Sequence, residues 1–286
     1  MSRVSSMPGV SSVVAKTVTL LDDAGILSPS AEARTLVSFA LGVEPSRLPL
    51  VDEITAEQLR RLDQAVADRI SGVPLQHVTG RAYFRTISVR VGPGVFIPRP
   101  ETEVLAGWAI AQVGPGSRMV ELCAGSGAIS RAICAESTPV GWAVEASDEA
   151  YPYLVENLLD TSVIPVHGDM ADTVTGLDGT IDVVVANPPY VPCGQDLPAD
   201  VRHDPTDALF SGPDGLDAIR VVARVAMALL APGGVVGCEH GEDQADEARR
   251  IFSRAGFESV HTHADLTSRP RFVTARKPAG HGMIES

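Results

Sequence analysis

"RMVELCAGSGAIS", residues 118 to 130, holds the transition on which the fold turns. It begins as a short apolar strand, passes two glycines spaced by one residue, and runs on into a helical pattern. Gly125 and Gly127 let the backbone turn tightly and approach a ligand with no Cβ in the way. A glycine-rich turn between strand and helix serves dinucleotides and other nucleoside cofactors alike. The third glycine of G-x-G-x-x-G is absent here, since Ser130 stands in its place, and this argues against a nicotinamide dehydrogenase. Glu121 ends the strand, where it would repel a phosphate but could accept bonds from an ammonium group. An amino-acid-bearing nucleoside such as S-adenosylmethionine meets that need, with Cys123, Ala124, Gly125, Ser126 and Gly127 as its loop.

Outward from this turn the same alternation continues. Strands are expected at 118–123, 141–146, 163–168, 181–187, 234–240, 258–264 and 271–276, with helices near 101–112, 127–136, 148–160, 215–230 and 243–255. Nearly continuous apolar strands separated by helices predict an α/β domain, with a seven-stranded, mostly parallel sheet covered on both faces. The last two strands have no helix between them and should form an antiparallel hairpin at the edge.

Residues 10 to 71 read instead as a small helical bundle. Val14, Val18, Leu21 and Ile26 suggest one apolar stripe, and Leu59, Leu62, Val66 and Ile70 another, with Gly25, Gly42 and Gly72 as stops. Ser28 and Thr55 are expected N-caps, with Glu32 near a capping-box position. "AYFRTISVRVGPGVFIP" (81–97) suggests a hairpin interrupted by Gly-Pro-Gly. The expected domains are therefore 1–73 (helical, for substrate docking), 74–100 (linker with hairpin) and 101–286 (α/β).

Three more strand ends carry chemistry. Glu145 ends the second strand about 20 residues after the loop, where an acid can accept both ribose hydroxyls. Asp169 follows the third and could accept an adenine amino group, with Met170 against the ring. The fourth strand ends in "NPPY". The side-chain carbonyl of Asn187 and the backbone carbonyl of Pro188 are two acceptors whose spacing the prolines hold, because proline fixes φ. Together they could bind both hydrogens of a planar –NH₂ group. Pro189 completes the turn, and Tyr190 offers a flat face to an amide or a base.

A formal net charge of −13 over 286 residues disfavours a nucleic-acid-gripping protein, since that affinity comes from Lys and Arg. With 44% hydrophobic and 21% charged residues the chain is expected to be globular. Cys123, Cys134, Cys193 and Cys238 form no CxxC pair and read as buried reduced thiols. His261 and His263 lack a third ligand, so no metal is expected. "MSRVSSMPGV" does not read as a signal peptide, and "VVARVAMALLAP" is too short to span a bilayer. A cytoplasmic protein with no membrane contact is expected.

"NPPY" after a buried strand resembles the motif of S-adenosylmethionine-dependent methyltransferases acting on planar –NH₂ nitrogens, both adenine-N6 and protein glutamine enzymes. The stretch "PLQHVTGRAYFRTISVRVGPGVFIPRPETEVLA" (74–106) resembles more specifically the HemK/PrmC family, the glutamine methyltransferases of peptide chain release factors. "VRHDPTDALFSGPDGLDAIR" (201–220) and "DLTSRPRFVTAR" (265–276) are similar to further segments of it. The resemblance implies a class I, Rossmann-like methyltransferase domain after a small N-terminal domain. It also implies that the glutamine of a Gly-Gly-Gln loop enters at Asn187–Tyr190, with Asn187 touching both cofactor and substrate. Departures from the family pattern are Cys123 for glycine, Glu121 and Glu145 for aspartates, Met170 for tryptophan and Asp204 for glutamate. A non-glycine at 123 implies a negative φ there. Competing readings are a ribosomal-protein glutamine methyltransferase, an adenine-N6 nucleic-acid methyltransferase and a non-catalytic cofactor-binding protein.

Overall fold

The computed structural model describes residues 8–174, 176–197, 201 and 203–280, so most of the opening segment discussed above lies outside the described residues. The chain divides into two compact units between Gly80 and Arg81.

The first unit packs α1 (Val10–Asp23), α2 (Pro29–Leu41), a 3₁₀ segment (Pro45–Leu50), α3 (Ala56–Ile70) and the short α4 (Leu75–Thr79). Its core includes Val13, Leu21, Leu36, Val37, Ile54, Leu62 and Val66. The expected stripe of α1 is rotated by one position: Val10, Val13, Thr17 and Leu21 are buried, while Val14 and Val18 are only partly so. Ile70 is exposed. Thr55 forms a complete capping box with Gln58, whereas Ser28 makes no side-chain cap bond. Glu32 lies one residue beyond the box position and reaches Arg69 of α3 instead, at 2.6 Å.

The second unit opens with a hairpin, β1 (Arg81–Phe84) and β2 (Ile87–Arg90). Its turn is at Arg85, with φ +52°, so Gly-Pro-Gly follows the hairpin rather than making its bend. The stretch expected as a linker is packed: Phe84, Val89, Val91, Val95 and Ile97 are buried in the core of this unit. Asn157, itself buried, accepts the N–H of Arg90 at 2.7 Å and donates to the Arg90 carbonyl at 3.0 Å and the Ser126 carbonyl at 2.8 Å. One amide thereby ties β2 to the glycine turn.

Then follow α5 (Thr102–Gln112), β3 (Arg118–Leu122), α6 (Ala128–Glu136), β4 (Val140–Glu145), α7 (Tyr151–Leu158), β5 (Val163–His167), β6 (Ile181–Ala186), α8 (Asp217–Leu229), β7 (Leu230–Glu239), α9 (Ala245–Arg254), β8 (Glu258–Ala264) and β9 (Pro270–Arg276). The sheet order is β5-β4-β3-β6-β7-β9-β8. Strands β3 to β7 are parallel and β9 runs against both neighbours. The edge hairpin is present, but its reversed strand is the inner one and β8 forms the edge. The order reverses direction between β3 and β6. At such a switch point the connections leave to opposite sides and open a crevice above the carboxyl ends of the strands.

Burial on both faces explains the unbroken apolar run of β6. Val183 and Val185 face the layer that includes α5 and α6, while Val184 and Ala186 face the layer that includes α8. Of the four cysteines only Cys238 is buried; Cys123 and Cys134 are half-buried and Cys193 is exposed, and all four are free thiols. No helix among the described residues is long and apolar enough to cross a membrane.

Candidate active site

A cavity of about 1030 Å³ opens over the carboxyl ends of β3, β4, β5 and β6. Its walls gather most of the residues singled out from the sequence: Glu121 and Cys123 to Ser126 from the turn after β3, Glu145 from β4, Asp169 and Met170 after β5, and Asn187 to Tyr190 after β6. Gly127 is not among its lining residues. A Cβ on Gly127 would lie 2.6 Å from Leu154 of α7, and its φ is +76°. It turns the chain and lets α7 close on the loop, while Gly125, with φ +55° and open space before it, is the glycine that faces the cavity.

Cys123 departs from expectation, with φ +56° in the left-handed region that costs a side chain about 1–2 kcal/mol. The turn needs that conformation whichever residue occupies it. The Cys123 sulfur lies 3.6 Å from that of Met170, so two of the five departures from the family pattern touch each other. Burial pushes the Cys123 thiol well up, and the nearby Glu145, Asp169 and Glu121 carboxylates push the same way, so it is no thiolate nucleophile at neutral pH.

The acids have distinct environments. Glu145 is half-buried; its Oε2 accepts the Gly125 N–H at 2.7 Å and its Oε1 the Ser147 N–H at 2.8 Å. Both oxygens are aimed by backbone donors, and each keeps a lone pair for a ligand hydroxyl. Glu121 is almost fully buried and accepts the Ser130 N–H at 2.8 Å. Burial pushes its carboxyl up to about 7 against that bond. Asp169 is exposed at the rim, with Oδ1 accepting the Ala171 N–H at 2.7 Å.

At the far end, Asn187 Nδ2 donates to the buried Thr102 hydroxyl at 3.1 Å, which leaves Oδ1 as the branch not engaged by Thr102. The Tyr190 hydroxyl donates to Glu239 Oε1 at 3.3 Å, and its backbone carbonyl accepts from Gln244 Nε2 at 2.9 Å. Burial, followed by the nearby Glu239 charge, pushes the Tyr190 phenol well up, so the ring stays neutral. Asp204, buried, accepts the Ile97 N–H at 3.2 Å and pairs with Arg99, pinning the segment before α5 to the wall that Pro205 to Leu209 complete.

Beyond its own geometry, the chain has many close relatives. Over 274 residues it is 43% identical to the release factor glutamine methyltransferase of Streptomyces coelicolor, a match spanning 92% of this chain and 96% of that protein. The chain belongs to the release factor glutamine methyltransferase family. The enzyme of that name from Mycolicibacterium smegmatis is 42% identical over 90% of this chain and 93% of its own length. That of Bifidobacterium longum is 38% identical over 93% and 99%. Residues 12–80 match the family model described as the PrmC N-terminal domain. Among solved structures, a methyltransferase from Pyrococcus furiosus superposes with a TM-score of 0.49 at 16% identity, over 78% of this chain and 100% of that one.

Two residues at the NPPY turn escaped the sequence reading. Glu239 ends β7 just as Glu145 ends β4, so the same strand-end signal could have found it. Thr102 carried no signal, because only the packing of α5 against β6 brings it to Asn187.

Proposed function

We propose that this chain transfers a methyl group to the side-chain amide nitrogen of the glutamine in the Gly-Gly-Gln motif of peptide chain release factors, in the cytoplasm, with S-adenosylmethionine as donor. The observation that carries this reading is the Asn187–Thr102 hydrogen bond at the mouth of the β6 turn. It orients an amide whose carbonyl can only accept, beside a cavity large enough for a nucleoside and an incoming side chain. Family membership supports the choice of glutamine over adenine, and the net charge of −13 supports a protein over a nucleic-acid substrate.

The residues present fit the cofactor. Glu145, aimed by two backbone N–H groups, would hold the ribose hydroxyls. Gly125 leaves room for a close approach, and Glu121 would face the ammonium group. Asp169 and Met170 would take the adenine edge and face. When bound, S-adenosylmethionine supplies an electrophilic sulfonium methyl.

An amide nitrogen is a weak nucleophile because its lone pair is delocalised into the carbonyl. Asn187 Oδ1 and the Pro188 carbonyl would accept its two N–H bonds, raise electron density on nitrogen and hold it in line for attack. Tyr190 would cover the amide plane while its hydroxyl stays anchored on Glu239. Rate would come from orientation and electrostatics, with no covalent enzyme intermediate. In this reading the N-terminal unit and the 81–97 segment carry docking of the protein substrate, and removing residues 1–72 would slow methylation of whole release factor.

The deciding experiment incubates the full chain with S-adenosylmethionine and purified release factor, then weighs the Gly-Gly-Gln peptide. One added methyl on that glutamine, lost in Asn187→Ala, is the expected result. No added methyl despite measured cofactor binding overturns the substrate assignment and brings forward a ribosomal protein or nucleic acid.

A further inference from the structure

We propose that Gln244 is a positioning residue for methyl transfer, its side-chain amide holding the Tyr190 end of the NPPY turn so that the ring and the Pro188 carbonyl keep their places. The inference rests on the reading of that turn as the seat of the substrate amide. Gln244 does not line the cavity and acts only through Tyr190, which does.

The turn cannot hold itself. Pro188 and Pro189 have no N–H to donate, and in this reading the Pro188 carbonyl is kept for the substrate. The turn must therefore be anchored at its flanks. At one flank Asn187 Nδ2 donates to the Thr102 hydroxyl at 3.1 Å. At the other, the Tyr190 carbonyl accepts from Gln244 Nε2 at 2.9 Å. The N–H of that same peptide group, on Val191, donates to the Leu209 carbonyl at 2.8 Å, so Gln244 supplies the other half of its orientation.

Capping a helix needs less than this. Gln244 Oε1 accepts the Gly241 N–H at 2.8 Å, which caps the short turn before α9, and a glutamate would serve there equally. Only an amide can donate as well, and Nε2 donates both to Tyr190 and to the Asp214 carbonyl at 3.2 Å. With one donor on Gly241 and two acceptors opposite, the amide has a single orientation. It joins the NPPY turn, the end of β7 and the loop before α8. Two glycines keep the space for it. A Cβ on Gly215, whose φ is +74°, would overlap the Tyr190 carbonyl oxygen and lie 2.6 Å from Gln244 Nε2. One on Gly241 would lie 3.0 Å from Oε1.

The test uses the full-length protein, with release factor and S-adenosylmethionine as substrates. Gln244→Glu keeps the shape and the Gly241 bond but cannot donate while ionised. At about pH 8 its kcat should lie about 30-fold below wild type, with both KM values within about threefold, the signature of an interaction made at the transition state. As pH falls toward about 5 the carboxyl gains a proton and can donate again, so the ratio of variant to wild-type kcat should climb at least about fivefold. Gln244→Ala adds no charge and should lose about tenfold in kcat, with no acid-side recovery. A second measurement is independent of turnover. Tyr190–Val191 is the only Tyr–Val pair in the chain, so carbonyl-labelled tyrosine with nitrogen-15 valine gives one NMR cross-peak for that peptide group. Relative to wild type the peak should be displaced in both variants at about pH 8, and should return near pH 5 in Gln244→Glu alone. A kcat within about threefold of wild type in either folded variant, a Gln244→Glu loss that acid does not relieve, or an undisplaced peak would overturn the proposal. So would failure of both variants to fold, which would make Gln244 a residue of the fold. A displaced, acid-restored peak in a protein that leaves release factor unmethylated upholds the hold on Tyr190 and removes only the substrate assignment.

Discussion

Glu145 Oε2 accepts the Gly125 N–H at 2.7 Å, so the acid that ends β4 is locked to the glycine turn that follows β3. The contact couples two neighbouring strand ends and preorganises the turn for a ligand, since neither group needs to find its place on binding. Glu145→Gln keeps one acceptor but turns an N–H₂ toward the other backbone donor. Cofactor affinity should drop by at least tenfold while kcat at saturating cofactor stays within a few-fold, as read by calorimetry and steady-state kinetics.

Position 123 separates conformation from chemistry. Cys123 sits at φ +56°, so Cys123→Gly should remain within about 1 kcal/mol of wild type, relief of strain offsetting added chain entropy. Cys123→Val should cost more than about 2 kcal/mol, because a β-branched side chain tolerates that region worst. Urea denaturation of the three proteins distinguishes this from a role for the thiol, which would make both variants equally inactive.

Asn157 joins β2 to the loop through three backbone bonds. Asn157→Ala leaves three backbone polar groups without that partner and should cost about 2–4 kcal/mol. Since one of them belongs to Ser126 beside the cavity, cofactor affinity should fall as well. A variant that loses stability but binds cofactor as tightly as wild type would show the loop to be held by its glycines alone.

The Glu121 carboxyl titrates near 7 instead of 4.5 because it is buried. The folded protein holds this proton more tightly than the unfolded chain, so the contribution to stability is full below about pH 4.5 and is lost as pH rises through 7. The swing is about 3 kcal/mol at most. Glu121→Gln cannot ionise, so its melting temperature relative to wild type should be higher at pH 8 than at pH 5, by roughly 5 °C. Calorimetry at the two pH values, with Glu239 common to both proteins and cancelling, checks the sign.

The alternation of apolar runs with helical periods was enough to predict a parallel sheet, because burial on both faces forces strands such as Val183–Ala186 to be apolar throughout. The strand-end acids and the Asn-Pro-Pro-Tyr turn were legible for a related reason: polar residues closing buried strands have few structural uses. Periodicity is less informative where one face is only half-covered, and it places the stripe of α1 one position out. Gly-Pro-Gly likewise points past the bend of the β1–β2 hairpin, which Arg85 makes.

The sequence by itself determined which strands are buried and which of their ends carry donors and acceptors, because both follow from local pattern and residue chemistry. Only the tertiary structure decided the partners. Thr102 meets Asn187 across 85 residues of chain, Glu239 meets Tyr190 across 49, and Asn157 meets Arg90 across 67. Such contacts depend on strand order and helix packing, and no local period encodes which distant hydroxyl or carboxylate will stand behind a given side chain.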